Sequence, residues 1–201
     1  GAGAQALAGG EVRTETFTVN LNDGSTTTVT ITITGTDDAP VISSGTGSVT
    51  EDTTLTASGT LTATDVDNPA LAFVPQTGTA SAYGSFTVDA SGVWSYQLDN
   101  AAAQALAGGE VRTETFTVAL NDGSTTTVTI TITGTDDAPV ISSGTASVVE
   151  DSAPSASGTL TATDVDNPTL AFVPQSTTSA YGSFTVDAAG AWSYQLDNAA
   201  A

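Results

Sequence analysis

The 201-residue chain has no cysteine, histidine or methionine, and only two basic residues, Arg13 and Arg112, against 22 acidic ones. Each absence excludes a chemistry. Without Cys there is no disulfide. Without Cys and His there is no structural zinc of the usual kind, no Cys–His or Ser–His–Asp nucleophile and no haem ligation by those residues. The formal charge of −20 repels nucleic acid and anionic membranes, which need basic partners; the natural counter-ions are cations. No apolar run approaches the roughly 20 residues of a membrane span. No signal peptide is visible, and the first residues lie inside a repeat, so the chain reads as an excised piece. Lack of Cys suits an exported protein that crosses a membrane unfolded, and it suits many cytosolic proteins too.

What is present is a repeat. Gln5–Arg13 recurs as Gln104–Arg112, an offset of 99, and Gly59–Pro69 recurs as Gly158–Pro168 at the same offset. A one-residue deletion near Gln175 brings the offset to 98, so that Trp94 matches Trp192 and Asn100 matches Asn198. Such a period is the size of one small sandwich domain. Gly35-Thr-Asp-Asp-Ala-Pro-Val41 and Gly134-Thr-Asp-Asp-Ala-Pro-Val140 close one alternating run and open the next. Paired Asp and a Pro without an amide make a poor strand, so each is an acidic joint. The expected units are 1–37, the C-terminal strands F and G of a split repeat; 38–136, a complete repeat; and 137–201, strands A–E of the next.

In the complete repeat the spacing predicts strand A over Val41–Thr50, B over Gly59–Thr64 and C over Leu71–Gln76. D follows at Tyr83–Val88, E at Val93–Leu98, F at Val111–Leu120 and G at Thr125–Thr133. Leu61, Ala63, Phe86, Val88, Trp94, Tyr96, Leu98, Val128, Ile130 and Ile132 face inward by parity. Asn121-Asp-Gly123 is a hairpin signal, Ala101–Ala107 a helical turn ended by Gly108-Gly109. The opposite parity of Val111 and Phe116 predicts a bulge near Thr113. Arg112 and Arg13 are expected to pair with Glu114 and Glu15. The fold class is all-β: tandem immunoglobulin/cadherin-like seven-strand Greek-key sandwiches with terminal half-domains.

Strand alternation places loops at alternate poles. One joint then collects Glu51, Asp52, Asp99 and Asn100 from the repeat above, and Asp136 and Asp137 within it. From the repeat below come Asp164, Asp166, Asn167 and Asp187. The other collects Asp37, Asp38, Asp65, Asp67, Asn68 and Asp89, with Glu150, Asp151 and Asp197 of a neighbouring chain. Strand faces between the poles are Thr-rich and nearly uncharged, which a merely solubilising surface would not produce. Carboxylates about 4 Å apart repel by roughly 1 kcal/mol even in water. Calcium, a hard ion with 6–8 flexible oxygen ligands, suits such a set better than magnesium. Asp65-Val-Asp-Asn-Pro69 lacks the Gly and distant Glu of an EF-hand.

Gly59–Asn68, Tyr83–Asp89, Gly92–Asn100 and the Thr-Val-Thr-Ile-Thr-Ile-Thr-Gly-Thr-Asp-Asp-Ala-Pro joint together resemble the VCBS repeats of giant bacterial (RTX-type) surface adhesins. The resemblance implies cadherin-like extender domains, secreted by a type I route to the cell surface and stiffened by calcium. Asp136-Asp137-Ala-Pro also resembles the end of the cadherin linker, with Glu51 and Asp164-x-Asp166 in the places of its ligands above and below. The chain departs from cadherins in lacking the linker's leading Asp and Asn. The functional expectation is a spacer holding a distal adhesive region away from the cell for adhesion or biofilm formation. The alternative is a carbohydrate-binding or homophilic module, which needs an exposed aromatic or apolar patch, and the sequence offers none outside the inward registers. Catalysis is not expected: the acids recur at domain ends rather than around a shaped pocket. The two partial repeats are complementary, so head-to-tail complementation between chains is expected.

Overall fold

The computed structural model describes residues 2–199. The chain clusters into two compact units. The first holds the chain up to Asn100 together with Arg112–Ile132, the second Ala101–Val111 and the chain from Thr133 onward.

The first unit opens on a short α1 (Ala2–Gln5) and a hairpin of β1 (Val12–Asn20) and β2 (Thr26–Thr34), which forms its own two-stranded sheet. Its register runs unbroken from Val12↔Thr34 to Asn20↔Thr26. The complete repeat follows as β3 (Val41–Ile42), β4 (Gly45–Thr50), β5 (Thr56–Thr60), β6 (Ala63–Thr64) and β7 (Gln76–Ala80). Then come β8 (Gly84–Val88), β9 (Val93–Leu98), α2 (Asn100–Ala103), β10 (Val111–Ala119) and β11 (Thr125–Thr133). One sheet has the order β5-β9-β8-β7, the other β10-β11-β4, with β3–β6 as a short separate pair. The parity of the sequence holds in the core: Phe86, Trp94, Tyr96, Phe116, Val118, Val128, Ile130 and Ile132 are all buried. The Phe86 and Phe116 rings stack at 4.6 Å between centroids. Ala63 is only half-buried.

Several expected strands take other forms, for physical reasons. Strand A breaks at Ser43, so that β3 pairs with β6 and β4 with β11. Ser43 holds the crossing: its Oγ accepts from Thr62 N–H and its carbonyl from Thr126 Oγ1. Strand B begins at Thr56 and breaks at Leu61, whose amide bonds Gly92 O instead. Strand C shrinks to one bridge, Phe73↔Leu120. Pro69 and Pro75 flank it and supply no amide, while Asn121 holds the Ala70 carbonyl and the Ala72 amide. The edge strand β7 escaped sequence analysis because Gln-Thr-Gly-Thr-Ala has no apolar alternation. The helical turn covers Asn100–Ala103 rather than Ala101–Ala107. No bulge is needed near Thr113: Val111 faces outward, 54% exposed, and β1, alike except at its last residue, is continuous. A bulge does exist in β7, between Gln76 and Thr79 at Gly78, whose φ is +64°.

Glu114 does not serve Arg112. It faces inward and accepts hydrogen bonds from Ser81 Oγ (2.6 Å), Tyr83 N–H (2.9 Å) and Tyr96 Oη (2.8 Å). Burial, and then Glu114 itself, pushes the Tyr96 hydroxyl's pKa well up. The carboxylate thus fixes β10 against the start of β8 and the middle of β9. Arg13 pairs with Glu11 instead of Glu15, an exposed contact worth at most about 1 kcal/mol.

The second unit repeats the pattern with β12 (Val140–Ile141), β13 (Ser155–Thr159), β14 (Ala162–Thr163), β15 (Gln175–Ser179), β16 (Gly182–Val186) and β17 (Ala191–Leu196). Its sheet order is β13-β17-β16-β15, with β12 on β14. Here the register of β15 with β16 runs straight from Gln175↔Val186 to Ser179↔Gly182. The one-residue deletion near Gln175 has removed the bulge. Residues 144–148, the counterpart of β4, form no strand, because among the described residues no β11 follows to pair with them.

A Cβ built on Gly59 would meet Trp94 Cζ2 at 2.7 Å. Gly59→Ala is therefore expected to lower unfolding free energy by about 1–3 kcal/mol through overpacking. Urea unfolding measures it; an unchanged midpoint would contradict the close seating of Trp94.

Candidate metal centres

The acidic residues fall into two recurring arrangements. The first is the turn after β4. Thr53 N–H donates to Glu51 O (2.7 Å), and Asp52 at its centre has φ +60°. Such a positive φ on a non-glycine is uncommon, and Asp is among the residues that tolerate it. Asp52 N–H donates to Asn100 Oδ1 (2.9 Å), and Asn100 Nδ2 returns a bond to Asp52 Oδ1 (2.7 Å). Glu51 is fully buried, and Asp99 is exposed, its amide on Tyr83 O. The second repeat builds the turn again: Ser152 N–H donates to Glu150 O, Asp151 has φ +60°, and Asn198 Nδ2 donates to Asp151 Oδ1 at 3.4 Å. Asn198 was missed in the candidate set, although the repeat offset from Asn100 supplied it. Asp197 Oδ1 accepts from Ala199 N–H.

The second arrangement joins the acidic joint to the loop after β6. Asp65 Oδ1 accepts from the amides of Asp67 (3.0 Å) and Asn68 (3.2 Å), a local turn that aims Asp67 inward. Asp67 Oδ2 accepts from Asp38 N–H at 3.1 Å, which docks the joint on the loop. The other oxygen, Asp67 Oδ1, is buried and accepts from no donor. In the second unit Asp164 Oδ1 accepts from Asp166 and Asn167 N–H, and Asp166 Oδ2 from Asp137 N–H at 3.3 Å. Asp166 Oδ1 and Asp137 Oδ2 are the buried oxygens without a donor there. Asp37 and Asp136 are exposed.

Two expected ligands sit differently. Asp89 Oδ1 accepts from Ser91 N–H, Ser91 Oγ and Val93 N–H, closing the β8–β9 hairpin. Asp187 does the same with the amides of Ala189 and Ala191. Their carboxylates are engaged in their own turns.

A family model described as "Bacterial cadherin-like domain" matches residues 37–134 and again 136–201. The chain belongs to this family. Both matches begin on the first aspartate of a joint. Cadherin-like domains are extracellular, adhesion-type, non-enzymatic modules, and among the described residues no helix is long and apolar enough to cross a membrane. Solved structures similar to this chain include PcdhgB3 EC1-4, at 14% identity and TM-score 0.47, with 92% of this chain and 55% of that one covered. The protocadherin gammaB4 extracellular domain gives 15%, 0.46, 92% and 36%. Mouse cadherin-23 EC22-24 gives 20%, 0.45, 92% and 63%. The chain thus spans about half the length of the first of these. No curated protein sequence matches.

In this cadherin-like repeat the orphaned oxygen of Asp67 has two remedies, a proton or a cation. The Asp65 carboxylate, which would accept from a proton on Asp67, raises the pKa of Asp67, helped by burial and by the charges of Asp65 and Asp37, although the Asp38 amide opposes it. The same proton sharing holds Asp65 below the usual carboxylate range. Asp166 and Asp164 repeat the pair. A folded-state pKa raised above the unfolded value contributes stability at low pH and loses it as pH rises through the raised value. In chelator, unfolding free energy is therefore expected to fall as pH climbs from the usual aspartate range through the raised Asp67 value. Asp67→Asn should flatten that slope; an equal slope in the variant would overturn the assignment.

Proposed function

We propose that the chain is a calcium-stiffened extender of a bacterial surface adhesin, a row of repeats that holds a distal adhesive region away from the cell. The observation that carries the reading is the buried carboxylate oxygen without a donor: Asp67 Oδ1 in one repeat, Asp137 Oδ2 and Asp166 Oδ1 in the next. Cadherin-like domains generally bind calcium, and oxygen ligands of this kind, with Asn and backbone carbonyls, are what that ion takes.

The ligands proposed for one joint are Glu51, Asp52, Asp99, Asn100, Asp136, Asp137, Asp164, Asp166 and Asn167. Those for the other are Asp37, Asp38, Asp65, Asp67 and Asn68, joined by Glu150, Asp151, Asp197 and Asn198 of an adjoining copy. Asp187 belongs with the first set and Asp89 with the second; their Oδ1 atoms close hairpins as the Asp65 and Asp164 Oδ1 atoms close turns. The protein's part is done before the ion arrives. The Asp65 and Asp164 turns orient Asp67 and Asp166, the reciprocal Asp52–Asn100 pair fixes the facing loop, and the Asp38 and Asp137 amides hold the joint in place. When bound, calcium supplies the positive charge that lets these carboxylates lie side by side. In low-calcium cytosol the joints carry uncompensated repulsion, which suits export before stiffening.

At calcium about tenfold above the dissociation constant, each ion adds about 1.4 kcal/mol of stability. Asp67→Asn and Asp166→Asn together should abolish most of that increment, measured as the calcium-dependent shift in unfolding midpoint. Small-angle scattering should show the interatomic-distance distribution broadening on chelation and narrowing on calcium return. A distribution indifferent to calcium would remove the spacer reading.

A further inference from the structure

The complete repeat leaves part of one strand edge open. β10 is the end strand of its sheet, with β11 as its neighbour there. The Thr117 carbonyl accepts from Gln76 Nε2 and the Ala119 carbonyl from Val74 N–H, so the odd-numbered residues of β10 aim their backbone groups away from β11. The even-numbered ones aim toward it, as Glu110 does in accepting from Gly134 N–H. Residues 72–76 therefore cover the outer edge from Thr117 to Asn121, whose N–H donates to the Ala72 carbonyl. Among the described residues no strand lies along the same edge at Val111, Thr113 and Thr115. All three side chains are exposed, and the stretch has neither the Lys nor the Pro that commonly guards an edge. Beside it lies a groove of about 400 Å³, lined by Gln76, Thr79, Ser81, Glu114, Thr115 and Phe116. Glu114 is the groove's one charge; its other polar groups are hydroxyls and an amide.

We propose that this edge pairs antiparallel with the same edge of a second copy of the chain, about a two-fold axis at Thr113. Arg112 of each copy then enters the groove beside Glu114 of the other. The register follows by elimination. An axis at Arg112 or at Glu114 would set like charges directly opposite each other, which is destabilising. An axis at Thr115 would call on the Thr117 carbonyl, which Gln76 already holds. An axis at Val111 would run off the strand at Gly109, whose φ is +79°. An axis at Thr113 sets Thr113 on Thr113, Val111 on Thr115, and Arg112 on Glu114 twice over. β10 carries one positive and one negative charge in a chain of net −20, so the copies meet where neither repels the other. The two three-stranded sheets continue as one of six, in the order β4-β11-β10-β10-β11-β4. The contact uses the complete repeat alone and does not rest on the calcium reading.

The chain has no cysteine, so a single introduced thiol reports the register. The test uses the whole chain in chelator at about 0.15 M salt, where charge repulsion is screened beyond about 8 Å. On oxidation in air Thr113→Cys should give a disulfide-linked dimer, because residues facing each other across the axis have Cα atoms about 5.5 Å apart. Thr117→Cys is also exposed on this edge, but stands about 26 Å from its copy in this register. It should link at least tenfold more slowly. Arg112→Glu added to Thr113→Cys puts like charges opposite each other at both ends of the contact and should slow linking about tenfold. Circular dichroism checks that each variant folds. Equal linking at 113 and 117, linking indifferent to Arg112→Glu, or no linked dimer from Thr113→Cys at any concentration would each overturn the proposal.

Discussion

Like charges brought together by local turns set the terms for the rest of this molecule. Asp65 and Asp164 bend their own loops by accepting two backbone amides each, and that bending delivers Asp67 and Asp166 to the joint residues Asp38 and Asp137. The loops do not escape the repulsion, because the hydrogen bonds that shape them also place the carboxylates. Buried carboxylate oxygens without donors are costly, of the order of 1–3 kcal/mol each and more when charged. The sandwich sustains that cost with a core of ordinary apolar packing, free of disulfides, so its ends can stay electrostatically poised.

The division between neutral body and charged poles follows from strand chemistry. Thr and Val/Ile alternate along β2 and β11, so the inward face is aliphatic and the outward one hydroxylated. Charge lies in loops and turns except on β1 and β10, which carry Arg13, Glu15, Arg112 and Glu114, and Glu114 is the instructive case. Its three donors turn an inward carboxylate into a clamp between the sheets. A hydrophobic residue there would pack, but would not say which neighbour to pack against.

Much of this was legible in the sequence. Strands β9 and β11 lie where parity placed them, because six or nine residues of strict alternation have one way to face a core. The pairing of Asp38 with Asp67 and of Asp52 with Asn100 was implied by counting poles. Strand C failed because its run of apolar residues lies between prolines and lacks a ladder, and β7 because pairing there rests on backbone alone. Glu114 was assigned to its sequence neighbour Arg112, since a tyrosine hydroxyl arriving from another strand leaves no mark on local spacing. The break at Ser43 was hidden for the same reason: the groups that bend the chain come from Thr62 and Thr126.

The bulge at Gly78 and its loss in the next copy bear on crowding at a surface. β7 is the free margin of its sheet, and the kink there spoils the row of amides and carbonyls that a passing strand would read. β15 keeps an unkinked margin. The two repeats of this chain thus differ in how open a margin they offer to sideways pairing, and a single residue decides which margin is kinked.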